Sequence, residues 1–251
     1  MRMRKHFATG AAMAAAATMV LTACGGGSST STSTSSSSSD SGAPKGTITA
    51  GSAYETTDYG PITTSALGIG ANWQVLEGLY RFDMSDYSVS PALAAGDPVK
   101  VSDTKYEVTL RDGAKFSDGT DVKAADVVSS YKRTTDEKSI YRQFFTFVDS
   151  VEAKDDKTVT ITLKHPFAAL KERFVNVRVV PSSMSADELK SKPIGSGPYK
   201  FDNISATEVT AVPNEHYNGK IPAKAATLKW SVLKDDSPRL SAALGGSIDI
   251  M

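Results

Sequence analysis

The chain has 251 residues, which is long enough for a sizeable domain that buries most of its apolar surface. It carries 28 basic and 28 acidic residues. This balance argues against a nucleic-acid-binding protein, because such proteins normally show a basic excess. Cys24 is the single cysteine, so the sequence offers neither an internal disulfide nor a cysteine cluster for a metal.

The N-terminus has the layout of a secretory signal. Arg2, Arg4 and Lys5 precede an uncharged run of apolar and small residues from Phe7 to Ala23, and this order is typical of such signals. The run is about seventeen residues long and rich in alanine, which is marginal for a permanent membrane span. Without the three basic residues, 25 basic residues remain against 28 acidic ones, a net charge of about −3.

Cys24 follows this run in a recognisable context. The tetrapeptide Leu-Thr-Ala-Cys at 21–24 resembles the bacterial lipobox, in which a leucine and two small residues precede a cysteine. The resemblance implies that Cys24 becomes the new N-terminus and carries a thioether-linked diacylglycerol. The alternative is a buried core cysteine, since a free cysteine packs like a small apolar residue.

Glycine, serine and threonine dominate the segment after Cys24, and residues 28–39 are all serine or threonine. Such a composition cannot bury apolar surface, so we expect a disordered tether. The expected organisation is therefore a lipoprotein signal peptide at 1–23, the lipidated cysteine with its tether at 24–44, and an ordered domain at 45–251.

Strand patterns recur through the expected domain. Short runs with period-two alternation or β-branched residues, bounded by turn residues, predict strands at "GTITAGS", "KYEVTL", both halves of "DSVEAKDDKTVTITLK", "VNVRVV", "SGPYKF", "TEVTAV" and "ATLKWSVL". The polar turn at 155–157 separates the two halves of the fourth stretch.

Three stretches predict helices. "TDVKAADVVSSYKR" has Thr120 or Asp121 as its cap, and one narrow face formed by Val122, Ala125 and Val128. "PFAALKERF" predicts a short helix. "DSPRLSAALGG" predicts a helix capped by Ser237, with Pro238 in the first turn and glycines past its end. Because strands and helices interleave without strict alternation, we predict an α/β fold with a mixed sheet.

The residue types that carry catalysis or metal binding are not arranged in recognisable patterns. His165 and His216 lack ligand spacing, and Gly195-Ser196-Gly197 is not a nucleophile elbow. The sequence therefore favours no enzyme, metal site or cofactor. Aromatic side chains near predicted loops could line a cleft, although core packing is the commoner role for each of Tyr54, Tyr59, Trp73, Tyr141, Phe144, Phe145 and Phe147.

Several stretches together resemble one family. "VLEGLYRFD", the block "LRDGAKFSDGTDVKAADVVSSYKR", "GSGPY" and "NEHYNG" occur in that order and resemble the family 5 extracellular solute-binding proteins of ABC importers, the oligopeptide, dipeptide and nickel-binding type. The resemblance implies a periplasmic-binding-protein-like type II fold, with two α/β lobes and a subdomain inserted into the first. Family members are considerably longer, so the sequence resembles a first lobe whose second lobe is largely missing.

The resemblance also nominates ligand-binding residues. Tyr54 lies in the loop after the first strand, which faces the cleft in relatives, and Tyr141 matches an inserted segment that reaches the ligand. Arg178 matches a region where relatives place a cation near a ligand carboxylate, a pairing that suits a guanidinium; a surface arginine at a strand end is the alternative. Trp73 is interpreted as helix packing. Gly195, Gly197 and Pro198 are interpreted as shaping the backbone.

The implied function is capture of an extracellular solute for import. A peptide is the first expectation because it is the commonest ligand of the family, while nickel chelates, haem and oligosaccharides stay open. The implied partners are the permease and ATPase subunits of the importer and, through the lipid anchor, the outer face of the cytoplasmic membrane. We expect the full-length protein to be a monomer, and we expect no cofactor. A sensory or interaction lipoprotein on the same fold, or a tethered surface hydrolase, are the alternatives.

Overall fold

The computed structural model describes residues 43–251, so Cys24, the signal segment and most of the tether lie outside the described residues. The strands are β1 (Thr47–Ser52), β2 (Tyr80–Phe82), β3 (Val89–Pro91), β4 (Val99–Ser102), β5 (Lys105–Thr109), β6 (Val148–Ala153), β7 (Thr158–Leu163), β8 (Tyr199–Ile204), β9 (Glu208–Pro213) and β10 (Thr227–Val232). The helices are α1 (Ala66–Val75), α2 (Ala124–Thr134), α3 (Leu170–Phe174), α4 (Ala186–Ser191) and α5 (Asp236–Leu244), with a 3₁₀ helix at Ile140–Phe145.

The first sheet is mixed, as the sequence predicts. Its strand order is β1-β10-β9-β8; β1 and β10 run parallel, and the other neighbours are antiparallel. Helix α1 packs on this sheet and buries Leu67, Ala71 and Val75 in a core shared with Phe201 and Val209. This core fixes the position of α1, whose other side faces the candidate site.

The second sheet is antiparallel throughout, with the order β4-β5-β7-β6. Helix α2 buries Ala124 and Val127 in its core, together with Val108, Val159 and Ile161. The β2-β3 hairpin and the short helix α3 contribute to the same core. Leu79, just before β2, and Phe174 of α3 are completely buried in it. Strands and helices thus combine in an α/β fold with two cores.

The segment Gly195-Ser196-Gly197 joins the two parts of the molecule. Gly197 N–H donates to the Val75 carbonyl at 2.9 Å, and Ser117 N–H donates to the Gly195 carbonyl at 2.8 Å. A Cβ on Gly197 would lie 2.6 Å from the Val75 carbonyl oxygen, so only glycine allows this approach. The interpretation of these glycines as backbone-shaping residues is confirmed.

Residues 111–113 and 214–219, which belong to the stretches that carry the family resemblance, contact each other. Arg111 donates to the Glu77 carboxylate and, through Nε, to Asn218 Oδ1 at 2.9 Å. Asn218 in turn donates to the Asp112 carbonyl at 2.8 Å. Asn214 donates to the Gly197 carbonyl at 2.8 Å. These two stretches therefore hold the fold together and do not line the candidate site described below.

Two predicted helix starts are wrong. The residues expected to cap α2, Thr120 and Asp121, belong to a turn in which Phe116 N–H donates to the Thr120 carbonyl and Lys115 bridges Asp121. Helix α2 therefore begins at Ala124, and Ala125 faces solvent instead of the core. Helix α5 begins at Asp236 after Asp235, one residue before the predicted cap Ser237.

The predicted strand "VNVRVV" does not form. Residues 175–180 are almost all buried, but Val179 N–H donates to the Glu77 carbonyl at 2.8 Å and Val180 N–H donates to Ser130 Oγ at 3.1 Å. Their backbone groups are satisfied by a loop and a side chain, so the apolar run is a buried irregular segment. The other predicted strands and the short helix α3 are confirmed.

Candidate functional site

A small cavity lies on the side of α1 that faces away from the first sheet. Its volume is about 30 Å³, and it is lined by Pro61, Thr63, Ile69, Asn72, Trp73, Tyr141, Asn176 and Arg178. Two of the three predicted ligand residues, Tyr141 and Arg178, thus line one cavity although 37 positions separate them in the chain.

Arg178 is the charged group of this cavity. Its side chain is buried, with 7% of the residue exposed. Nη1 donates to the Leu76 carbonyl at 3.4 Å, whereas Nη2 has no hydrogen-bond partner in the described part of the chain. Burial lowers the pKa of Arg178 to about 10, against the weaker opposite effects of Tyr141 and Glu77. A buried cation without a carboxylate in contact is costly, so this site gains from an anion.

Polar groups that lack partners concentrate here. Of the five buried side-chain atoms without a hydrogen bond in residues 43–251, two belong to the lining, Arg178 Nη2 and Asn72 Oδ1. Asn72 Nδ2 already donates to the Gly60 carbonyl at 2.9 Å. Buried polar groups are normally paired, so a donor and an acceptor left over beside one cavity indicate a place where a polar group binds.

Tyr141 is fixed at the edge of the cavity by the 3₁₀ helix. Ser139 Oγ accepts from Tyr141 N–H at 3.2 Å and so caps that helix. The Tyr141 hydroxyl donates to the Thr63 carbonyl at 3.3 Å. This bond connects the 3₁₀ helix to the loop before α1, and it leaves the hydroxyl oxygen able to accept from a solute.

Tyr54 does not line this cavity. It follows β1 in a loop, 69% of the residue is exposed, and its carbonyl accepts from Ser52 Oγ at 2.8 Å. The next residue, Glu55, forms an exposed ion pair with Lys234 at 2.9 Å. The ring is accessible to a solute, and its role in binding stays a prediction.

Trp73, interpreted from the sequence as helix packing, lines the cavity, and so do residues that the sequence did not nominate: Pro61, Thr63, Ile69, Asn72 and Asn176. The Trp73 ring lies over the Arg178 guanidinium, with 4.5 Å from Cζ to the ring centroid, and 36% of the residue is exposed. The helical periodicity indicates where this side chain points. Ala71 and Val75 face the core, and Trp73, two positions from both, lies about 200° around the helix from them. A tryptophan there points away from the core.

A larger cavity of about 520 Å³ lies on the other side of α1, between that helix and strands β1 and β10. Ile48, Leu228 and Trp230 supply apolar walls, and Lys224 and Lys229 also line the cavity. None of the predicted ligand residues lines it. Oriented binding of a solute needs buried polar groups that are short of partners, and the smaller cavity has them, so it is the better candidate.

Residues 43–251 contain neither a candidate metal cluster nor a helix suited to spanning a membrane. No group of three histidine, cysteine, aspartate or glutamate side chains lies close enough there to hold a metal ion. Within the same range, none of the helices combines the length and the apolar composition needed to cross a bilayer.

Sequence comparison defines the class of protein. Residues 88–251, more than half of the chain, match the family described as bacterial extracellular solute-binding proteins, family 5 Middle. The chain is also 32% identical over 216 residues to Protein XP55 of Streptomyces lividans, and 28% identical over 206 residues to the glutathione-binding protein GsiB of Escherichia coli K12. These matches cover 81% and 76% of this chain but only 38% and 39% of the relatives.

Solved structures agree with this class. The agropinic-acid complex of the binding protein AgaA from A. tumefaciens R10 has a TM-score of 0.74 and 27% identity, covering 81% of this chain and 43% of its own. DppA from Helicobacter pylori, in complex with the peptide STSA, has a TM-score of 0.71 and 22% identity, covering 81% and 46%. The fold is that of type II periplasmic binding proteins.

The chain therefore belongs to the family 5 extracellular solute-binding proteins. It spans about two fifths of the length of the curated relatives that it matches. The relatives whose names state an activity are solute-binding proteins, in agreement with the expectation of a binding protein instead of an enzyme.

Proposed function

We propose that the chain captures an extracellular solute for an ABC importer, with the permease and ATPase subunits as partners, and that the solute is a small peptide. The match of residues 88–251 to family 5 carries this proposal. Two relatives above 25% identity are named for glutathione, itself a small peptide, and for agropinic acid. Both ligands are carboxylic acids, which suits a site built around a buried arginine.

We assign the solute contacts to three residues. Arg178 pairs with a carboxylate of the solute, Tyr141 forms an aromatic wall beside it, and Tyr54 is an outer contact in the exposed loop after β1. The shared cavity and the unpaired Nη2 of Arg178 support the first two assignments. The exposure of the Tyr54 ring supports the third.

Calorimetry on the full chain tests this proposal. We expect trialanine to bind more tightly than trialanine amide, by roughly 10- to 100-fold, since a charge-assisted hydrogen bond contributes about 1.5–3 kcal/mol. Arg178→Met should remove the difference between the two peptides. Arg173→Met is the matched control, because Arg173 stacks on Phe144 outside the cavity lining. Equal affinity for acid and amide in the unmodified chain contradicts the assignment of Arg178.

We further propose that Cys24 anchors the protein by lipid to the outer face of the cytoplasmic membrane. This proposal includes the boundaries given above: signal peptide 1–23, lipidated cysteine and tether 24–44, and binding domain 45–251. The lipobox-like sequence supports it. Cells fed labelled palmitate should label the unmodified protein and not Cys24→Ala. Equal labelling of both proteins, or label in neither, contradicts the anchor.

A further inference from the structure

Trp73 covers the charged group of the candidate site. The indole lies 4.5 Å from Arg178 Cζ, and Arg178 Nη2 has essentially no accessible surface. Trp73 itself is on the solvent side of α1, with 36% of the residue exposed. The arginine that would receive a solute carboxylate is therefore closed off from solvent, with an exposed aromatic ring over it.

The cavity beside this pair is too small for a solute. A volume of about 30 Å³ holds roughly one or two water molecules, so a larger group enters only if the lining moves. Five of the lining side chains donate hydrogen bonds to backbone carbonyls: Thr63, Asn72, Tyr141, Asn176 and Arg178. The described part of the chain gives the Trp73 indole no hydrogen bond, so rotation of Trp73 breaks its contact with Arg178 but no hydrogen bond.

We propose that Trp73 is a positioning residue that covers Arg178 and moves aside when a carboxylate-bearing solute binds. A cation–π contact is weaker than a charge-assisted hydrogen bond to a carboxylate. The carboxylate therefore displaces the ring, whereas neutral solutes leave it in place. The inference rests on the proposed function only in taking Arg178 as the carboxylate-binding group.

Fluorescence can follow the ring directly. The chain has two tryptophans, so Trp230→Phe leaves Trp73 as the only reporter. At constant ionic strength, sodium acetate should increase acrylamide quenching of Trp73 in a saturable way, and acetamide should not. Adding Arg178→Met should abolish the acetate response. A response to acetate that is absent, non-saturating or unchanged by Arg178→Met overturns the proposal.

Chemical modification supplies a second readout. Phenylglyoxal labelling of Arg178, located by mass spectrometry, should be slow in the unmodified chain and roughly tenfold faster in Trp73→Ala, as expected for loss of a cation–π cover. Phe144→Ala removes the ring from Arg173 instead and should leave Arg178 labelling unchanged. Equal Arg178 labelling in Trp73→Ala and the unmodified chain contradicts the cover.

The experiments can contradict the peptide-binding function and the Trp73 cover independently of each other. If calorimetry detects trialanine binding and Trp73 quenching does not change, the peptide function stands and the cover is wrong. If acetate moves Trp73 and trialanine binds no better than its amide, the cover stands and the peptide assignment is wrong.

Discussion

Glu77 and Arg111 form a two-point ion pair inside the protein. Arg111 Nη1 and Nη2 donate to the two carboxylate oxygens of Glu77 at 3.0 and 2.8 Å, and only 13% and 8% of the Arg111 and Glu77 side chains are exposed. Burial raises the pKa of Glu77, and the neighbouring Arg111 counteracts this increase. Arg111 also donates to the Ala92 carbonyl at 2.6 Å, so one guanidinium holds three segments.

Arg111→Met should therefore be strongly destabilising, because it leaves a buried carboxylate without its partner. We expect a loss of about 3–5 kcal/mol in the free energy of unfolding, measured by urea denaturation. Lys100→Met is the matched control: its pair with Asp103 is exposed and should contribute under about 1 kcal/mol. Similar losses in the two variants would show that the buried pair has no special role.

Gly197→Ala should destabilise the fold by about 3 kcal/mol. The new methyl group would meet backbone oxygens of Gln74 and Val75 at 2.6 Å, and backbone atoms cannot move aside as a flexible side chain can. Gly96→Ala is the control, because no atom lies within 4 Å of its added Cβ. That variant should keep or slightly raise stability. A Gly197→Ala urea midpoint equal to that of Gly96→Ala contradicts the close approach.

Tyr199→Phe should lose about 1–3 kcal/mol of stability. The Tyr199 hydroxyl accepts from the N–H groups of Lys224 and Ala225 at 3.2 and 3.0 Å and donates to the Ala225 carbonyl. Phenylalanine keeps the ring but removes the partner of these backbone groups, of which those of Ala225 are buried. Tyr87→Phe, at an exposed position, should change the thermal midpoint little. An unchanged midpoint in Tyr199→Phe would mean that water replaces the hydroxyl.

Arg178→Met should leave the free energy of unfolding unchanged or raise it by about 1–2 kcal/mol. Methionine fills much of the same volume and removes a buried charge that lacks a carboxylate in contact. Gain of stability at the expense of solute binding is typical of a functional position. A clear loss of stability in urea denaturation would instead assign Arg178 a structural role through its bond to the Leu76 carbonyl.

The apolar patterns of the sequence predicted reliably which segments are buried. They predicted less reliably which groups the backbone of a buried segment forms hydrogen bonds with. Seven strands of the two sheets, β1 and β5 to β10, were predicted from short strand-like runs bounded by turn residues. Residues 175–180 are equally apolar, yet Val179 and Val180 pair with a loop carbonyl and with Ser130. Hydrophobicity reports burial, and the hydrogen-bond partner of a buried segment is decided by the tertiary arrangement.

The candidate site was predictable to a similar extent. Resemblance nominated Tyr141 and Arg178, and the structure brings both to one cavity. Trp73 was interpreted as packing, because its position on the outer side of α1 becomes informative only when Ala71 and Val75 are known to face the core. The contact between Trp73 and Arg178 joins α1 to an irregular segment, and no local pattern encodes such a contact.

The two sheets also differ in when they can form. Strands β4 to β7 all come from residues 99–163, whereas in the first sheet Thr47 of β1 pairs with Thr227 of β10. Closing a longer loop costs more chain entropy and slows folding. During synthesis, the antiparallel sheet has all its strands long before β10 is made. The parallel pair of β1 and β10, which completes the first sheet, is therefore assembled last.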